Sequence, residues 1–221
     1  LQDELAVLRH GAYLISVLSF EHVPLQRQII DSMGLVPLVQ GLCAHIRDET
    51  LQKWGSLALS NICEINGANQ ADLVAVECQR VLVFIMQAHK SNIEIQQNCI
   101  TAFGRIATNN LDMQRAIMDV DGVRQIVKAM RVHNTVLELQ ILGAHAIDAC
   151  GSPSTMPTSE DAKEVQKYVI DSKAHNVMFS ALITFPDSED LVIPCFRALG
   201  NLGLRNETTQ HVLVTDGLLE L

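Results

Sequence analysis

The sequence predicts an all-α protein built by repeating one supersecondary unit. Glutamine recurs with gaps of 44, 44, 52 and 44 residues, and two aliphatic side chains follow each glutamine three and four residues later. A period near 44 residues is typical of stacked helical repeats, in which each unit contacts only its neighbours. We expect these glutamines to serve the geometry of the fold, because they recur whatever lies between them. The recurring residues are Gln26, Gln70, Gln114, Gln166 and Gln210.

The composition agrees with helices that pack through aliphatic side chains. Hydrophobic residues make up 48% of the 221 residues, aromatic residues 4% and charged residues 19%. Leu, Val, Ile and Ala form the ridges and grooves through which helices pack. No apolar run approaches the ~18 residues that span a bilayer, so we expect no membrane span. Tethering to a membrane would have to come from segments beyond this sequence.

Charge and cysteine usage argue against two classes of protein, although the charge does not exclude a local basic pocket. The net charge of −9 argues against non-specific binding to nucleic acid, which needs a basic face. The six cysteines include no C-x-x-C pair, so nothing supports a zinc or thioredoxin-like site. We expect reduced, buried thiols in a cytoplasmic protein.

Each period is predicted to contain a short, a medium and a long helix. In the reference period, apolar residues at helical spacing end a long helix near Asn61-Ile62, and a Gly/Asn-rich break follows. Residues 70–76 form the short helix and residues 79–88 the medium helix. A polar turn over residues 89–92 then leads to the next long helix, which starts at Ile93.

This frame predicts a single repeat array over residues 1–221. Its two ends are incomplete units, which favours a setting within a larger protein. The approximate units are 1–19 (partial), 20–63, 64–107, 108–151, 152–203 with an insertion near 151–158, and 204–221 (partial).

A small residue is predicted between the short and medium helices of each unit. A glycine there suits either a positive φ or close helix packing. Cys78 and Ala174 at two of the positions favour close packing. The five positions are Gly34, Cys78, Gly122, Ala174 and Gly217.

The insertion adds eight residues before Gln166 and contains two prolines, which cannot continue a helix. Either Thr158 or Ser159 is predicted to cap the helix that follows. The inserted segment itself is either a tolerated surface loop or a functional segment, namely a mobile flap or a phosphorylation site.

Two blocks resemble the third helix of an armadillo repeat. They run from Trp54 to Cys63 and from Cys195 to Leu202, and residues 26–39 are similar to the first helix, turn and second helix of that family. The resemblance covers nearly the whole chain. It implies a right-handed superhelical solenoid of three-helix repeats, whose third helices line a concave groove for extended peptides or partner domains.

The resemblance also points to positions that could hold a peptide backbone. Armadillo proteins often use an Asn near the end of each third helix, and here Asn61 and Asn201 match it, whereas Val17, Arg105 and Ala149 depart. Groups similar to importin-α add a Trp four residues earlier. This chain has other residues at those positions, which makes a nuclear import receptor the less favoured alternative: Tyr13, Leu57, Thr101, His145 and Arg197.

Helical spacing predicts which residues share the groove, because offsets of three, four and seven lie on one helix face. The selected positions include no Asp or Glu. Trp54 beside Asn61 could pin a peptide, unless Trp54 only packs between long helices. Arg105, His145 and Arg197 could bind an acidic or phosphorylated group, unless Arg105 pairs with a neighbouring acid. The predicted groove comprises Tyr13, Trp54, Leu57, Asn61, Asn98, Thr101, Arg105, His145, Arg197 and Asn201.

No catalytic, phosphate-binding or metal-binding motif is present. Asp119-Val120-Asp121-Gly122 resembles part of a calcium loop but lacks the remaining ligands. The sequence therefore predicts a non-catalytic scaffold or adaptor, without cofactor or metal, that binds a partner protein or peptide. A regulatory domain of a larger protein or enzyme is the main alternative. A cytoplasmic location is expected, including the cytosolic face of an organelle, where small armadillo-repeats-only adaptors tether motor machinery.

Overall fold

The computed structural model describes residues 2–63, 67–152 and 159–217. All regular secondary structure in these ranges is helical, and the chain divides into two compact units over residues 1–106 and 107–221. The helices are α1 Gln2–Ser19, α2 Val23–Asp31, α3 Leu35–Ala44, α4 Glu49–Ile62, α5 Gly67–Ala75, α6 Cys78–Ala88, α7 Ile93–Ala107, α8 Leu111–Asp119, α9 Gly122–Val132, α10 Leu137–Gly151, α11 Glu160–Asp171, α12 Ala174–Thr184, α13 Glu189–Gly203 and α14 Glu207–Thr215.

In the first unit, long helices lie side by side and shorter helices cover them. Helix α1 packs along α4, and α3 contacts both α4 and α6. Ala58, Leu59 and Ile62 of α4 are completely buried, as is Leu42 of α3. The small Ala58 lets neighbouring helices approach, while the aliphatic side chains fill the space between them.

The second unit repeats this arrangement. Helix α10 packs along α13, and α9 contacts α10 and α12. Its core includes Leu139 and Ile147 of α10 together with Ala198 and Leu202 of α13, all at most 1% exposed. The order of short, medium and long helices predicted from the sequence is therefore present in both units.

Side-chain caps set where several helices begin. Asp48 Oδ1 accepts a 2.9 Å hydrogen bond from Leu51 N, and Asn110 and Asn206 cap α8 and α14 in the same way. Ser159 Oγ accepts from Ala162 N at 3.2 Å, which confirms one of the two predicted caps for α11. The other candidate, Thr158, and the core of the insertion lie outside the described residues.

The turns between short and medium helices place the positive φ differently: at Gly217 it falls on the glycine itself, with φ 112°, and in the other four turns it falls on the preceding residue. Positive φ values occur just before the small residue, at Met33, Glu77, Asp121 and Lys173, with φ between 56° and 63°. Gly34 itself has φ −65°. A Cβ at Gly34 would lie 3.0 Å from Ile29 O, so close packing, and not backbone freedom, explains this glycine.

The five recurring glutamines all donate to backbone carbonyls at the ends of long helices. Gln70, Gln114 and Gln166 reach the carbonyls of Arg105, Ala149 and Asn201, each 35 residues further on and each at 2.8 Å. The last carbonyls of a helix have no partner within it. These side chains therefore hold short helices against long ones, as expected for residues that serve the fold.

A second glutamine series was missed in the sequence. Gln52, Gln96 and Gln140 lie on long helices, and the Nε2 group of each donates to two carbonyls at the end of the preceding medium helix. Their spacing of 44 residues repeats the period of the first series. In both compact units, side-chain amides therefore join short helices to long helices and medium helices to long helices.

Candidate functional site

An aromatic pair bridges two long helices of the first unit. The ring centroids of Tyr13 in α1 and Trp54 in α4 lie 4.8 Å apart at an interplanar angle of 73°. This edge-to-face arrangement is favourable for aromatic rings. Tyr13 is 47% exposed and Trp54 is half-buried, so Trp54 both packs between helices and presents part of its ring to solvent.

A lysine that was not selected from the sequence adds charge beside this pair. Lys53 Nζ lies 4.8 Å from the centroid of the Trp54 ring and 2.9 Å from Glu94 Oε2. A cation over an indole face is attracted by the ring quadrupole. The predicted acid-free surface therefore has a carboxylate at its edge, because Glu94 in the first turn of α7 reaches back to α4.

Asn98 and Thr101 of α7 are half-buried and hydrogen-bonded. Asn98 Nδ2 lies 3.3 Å from both Lys53 O and Ser56 Oγ, and Thr101 Oγ1 donates to Gln97 O at 2.9 Å. Leu57 is also half-buried. Together with Tyr13 and Trp54, these three residues form a partly exposed surface that contains both apolar and polar groups.

Asn61 and Arg105 fasten one long helix to the next. Asn61 is only 5% exposed and its Nδ2 donates to Ser16 O at 2.9 Å. Arg105 Nη1 donates to Ser60 O at 2.7 Å. Both acceptors lie 45 residues earlier in the chain. Among the described ion pairs Arg105 has no acidic partner, so a backbone carbonyl takes the role that the alternative hypothesis gave to an acid.

In the second unit, a buried acid lies at the centre of the predicted basic group. Asp148 accepts from Arg197 Nε at 2.5 Å and from Asn201 Nδ2 at 2.7 Å. Arg197 Nη2 also lies 3.2 Å from His145 Nδ1. The prediction that these positions form an acid-free surface is wrong here. The repeat period aligned Ala149 with Asn61, and Asp148 was passed over because it lies one residue, or about 100°, around the helix.

The same contacts control the charge of this cluster. Burial lowers the pKa of His145, the nearby Arg197 guanidinium lowers it further, and Asp148 opposes this. His145 is therefore neutral near pH 7, where its Nδ1 can accept from Arg197. With Arg197 paired to Asp148, the cluster offers little net positive charge to a carboxylate or phosphate.

The structure thus groups the predicted residues in two places. Tyr13, Trp54, Leu57, Asn61, Asn98, Thr101 and Arg105 belong to the first unit, and His145, Arg197 and Asn201 to the second. Lys53, beside Trp54, and Asp148, beside Arg197, are the two charged residues of these groups that were not predicted from the sequence. Lys53 could have been found as the direct neighbour of the only tryptophan.

The described ranges contain neither a metal-binding cluster nor a membrane-spanning helix. No group of three or more His, Cys, Asp or Glu side chains there could hold a metal ion. No helix there is both long and apolar enough to cross a membrane. All six cysteines are free thiols, and burial raises the pKa of Cys150 and of Cys195 to about 12.

Comparison with known proteins supports the fold. No family model and no curated protein matches the sequence. An engineered protein solved by the Northeast Structural Genomics Consortium matches with a TM-score of 0.81 at 23% identity, over 96% of this chain and 79% of that chain. A designed armadillo repeat protein matches with a TM-score of 0.78 at 18% identity, over 95% of this chain and 81% of its own.

A further designed armadillo repeat protein, solved in complex with the peptide (KR)4, matches with a TM-score of 0.76 at 19% identity, over 100% of this chain and 82% of its own. At such low identity the likeness shows the fold. The chain has the armadillo-like fold of three-helix repeats, and the predicted all-α fold class is confirmed.

Proposed function

We propose that this protein is a non-catalytic interaction scaffold that binds an extended segment of a partner protein along its long helices. The observation that carries the proposal is the half-open pair of Tyr13 and Trp54 on α1 and α4. Aromatic side chains of this kind are common anchors in protein interfaces, because they bury a large area at low entropic cost.

The surroundings of the pair suit a peptide with one apolar anchor. Leu57 lies on the same face of α4, three residues after Trp54. Asn98 and Thr101 supply amide and hydroxyl groups next to this apolar surface. An apolar or aromatic peptide side chain would cover the exposed part of Trp54, while its backbone would hydrogen-bond to the polar groups.

The designed relative bound to the peptide (KR)4 supports an extended ligand on this fold. We carry over the peptide and not its basic composition, since the cations here are Lys53 and Arg105. Arg105 is retained as a candidate contact for an acidic or phosphorylated group. His145, Arg197 and Asn201 are not, because their hydrogen bonds and charge are already taken up by the cluster around Asp148. Asn61 is retained as a support of the surface, because it is buried.

The single array over residues 1–221 and a cytoplasmic setting are part of the same proposal. Six free cysteines suit a reducing compartment. The residues of the proposed surface serve binding and packing, and we assign no reaction to them.

A peptide selection followed by mutagenesis tests the proposal. Peptides of eight to twelve residues would be selected from a library against the purified protein, and their affinity measured by calorimetry. We expect Tyr13→Ala/Trp54→Ala to lose about 30-fold in affinity, the ~2 kcal/mol typical of a hot spot. Phe84→Ala is the matched control, because Phe84 is an aromatic side chain of similar exposure on α6.

Circular dichroism of each variant establishes that the helices are retained. An affinity that is the same for wild type, the double variant and the Phe84 control would contradict binding at this surface. So would a selection in which no peptide binds the folded wild-type protein.

A further inference from the structure

Helix α9 carries three cations on one face. Arg124, Lys128 and Arg131 are spaced by four and three residues, which places them in a row along the helix. All three are exposed, and α9 contains no acidic residue. This is unusual in a chain whose net charge is −9.

The row is a property of this repeat and not of the fold. One period earlier, in α6, Phe84 and Gln87 take the positions of Lys128 and Arg131. In α12 the corresponding residues are Ser180 and Ile183. Helix α6 keeps Arg80 at the position of Arg124, but both repeats do without the charges of Lys128 and Arg131, so packing does not require those two.

Two of the three cations are unpaired. Arg124 forms a 3.0 Å ion pair with Asp121 and lies over the Tyr168 ring at 5.9 Å. Within the described part of the chain, Lys128 and Arg131 make no hydrogen bond or ion pair. Their charge is available to a ligand.

A cleft of about 160 Å³, lined by both polar and apolar side chains, opens beside Arg131, where α9 meets α12. This volume is roughly ten times what a single water needs. Arg131, Asn134, Asn176 and Ser180 line it and can all donate hydrogen bonds. Among the described residues, no aspartate or glutamate lines the cleft.

Gln140 reduces the repulsion that the carbonyl end of α9 would exert on an anion in the cleft. The carbonyl end of a helix normally repels negative charge. Here Gln140 Nε2 donates to Met130 O at 3.1 Å and to His133 O at 2.9 Å, which occupies carbonyls at the end of α9. The negative end of α9 is thereby partly covered at the point where the cleft begins.

We propose that this face of α9, with the cleft against α12, is a second binding surface that accepts an acidic protein segment. Arg131 would bind a carboxylate by forked hydrogen bonds, with Asn134, Asn176 and Ser180 donating to it. Lys128 and Arg124 would attract the neighbouring acidic residues of the segment. This surface is independent of the one around Trp54.

The test uses a fluorescein-labelled eight-residue peptide of alternating glutamate and serine, and its glutamine counterpart. Anisotropy would be measured with the whole chain at low and at physiological salt. We expect the glutamate peptide to bind, the glutamine peptide not to, and added salt to weaken the binding. Lys128→Gln/Arg131→Gln should lower the affinity about tenfold or more.

Two control variants and one further test variant assign the binding to this surface. Arg80→Gln removes an exposed arginine from the equivalent helix α6 and should change nothing. Trp54→Ala should also leave the affinity unchanged, which separates this proposal from the one above. Asn176→Ala/Ser180→Ala removes only cleft donors and should weaken binding several-fold.

The proposal is overturned if the glutamate peptide does not bind at millimolar concentration, or if the glutamine peptide binds equally well. Equal affinities of the Lys128/Arg131 and Arg80 variants would also overturn it. The proposal is also overturned if the chain binds phosphatidylserine vesicles through Lys128 and Arg131 but does not bind the glutamate peptide.

Discussion

Gln114 donates 2.8 Å hydrogen bonds to the carbonyl oxygens of Ala149 and Ser152, which lie 35 and 38 residues further along the chain. The short helix α8 is thereby fastened to the end of the long helix α10. Gln166 has the same relation to Asn201 and Leu204. A recurring glutamine thus supplies partners for carbonyls that a helix end leaves without any.

Replacement of Gln114 by leucine should destabilise the protein by about 1–3 kcal/mol, because carbonyls near a helix end lose their partner. Gln210→Leu is the matched control, since Gln210 is exposed and donates to Gly203 O alone among the described residues. Urea unfolding followed by circular dichroism compares the two. Equal free energies of unfolding for the two variants would show that the buried amide of Gln114 stabilises the fold no more than the exposed amide of Gln210.

Replacement of Asp148 by alanine should cost about 1–2 kcal/mol, because Arg197 and Asn201 both lose their acceptor. The loss is modest because the Arg197 side chain is 52% exposed and water can replace part of the interaction. Asp171→Ala, which removes a surface ion pair with Lys167, serves as control. The variant and control are compared by thermal unfolding, and a smaller loss for Asp148→Ala than for the control would contradict the central position of Asp148.

The pKa of His145 should respond to its two charged neighbours in opposite directions. Asp148→Ala removes a carboxylate that favours the imidazolium and should lower the pKa further. Arg197→Ala removes a repelling cation and should raise it. Proton NMR titration of the His145 ring measures both, and a shift of the same sign in the two variants would be inconsistent with the cluster.

Acid should weaken the attachment of α14 through Asp216. The hydrogen bond from His175 Nε2, 2.8 Å away, holds the pKa of Asp216 below its ordinary value. A lowered folded-state pKa stabilises the fold above the unfolded-state pKa of about 3.9. That stability is lost as pH falls through the folded-state value. When the pH is lowered from 6 to 3, the melting temperature of Asp216→Asn should therefore fall less than that of the wild type. An equal fall would show that the contact between His175 and Asp216 does not contribute to the acid sensitivity.

One thiol should react rapidly with Ellman's reagent. Burial raises the pKa of all six thiols, but Cys43 is exposed, whereas the other five cysteines are buried. Thiolate is the reactive form, so those five should react only after unfolding. Absorbance at 412 nm counts the fast thiols, and Cys43→Ser should abolish the fast phase. A fast phase of two or more thiols would show that the core opens readily.

The period of the glutamines predicted a stack of repeats, because helical repeats place equivalent residues at equal intervals. Apolar spacing and the Gly/Asn-rich breaks predicted the order of the helices. The same period was visible in Gln52, Gln96 and Gln140 and could have predicted the second set of junctions. The partners of Asp148 could not be predicted, since Arg197 and Asn201 follow after an insertion and contact it only across helices. The burial of Asn61 depends likewise on how closely α1 packs on α4.

The central claim, that the surface around Tyr13 and Trp54 binds an extended peptide, can be tested directly because the chain contains one tryptophan. Titration of the selected peptide into wild-type protein should shift the Trp54 emission to shorter wavelength as the peptide excludes water from the ring. The shift should saturate with the dissociation constant found by calorimetry. Saturable binding in the calorimeter without any change in Trp54 emission would contradict peptide binding at the surface around Tyr13 and Trp54.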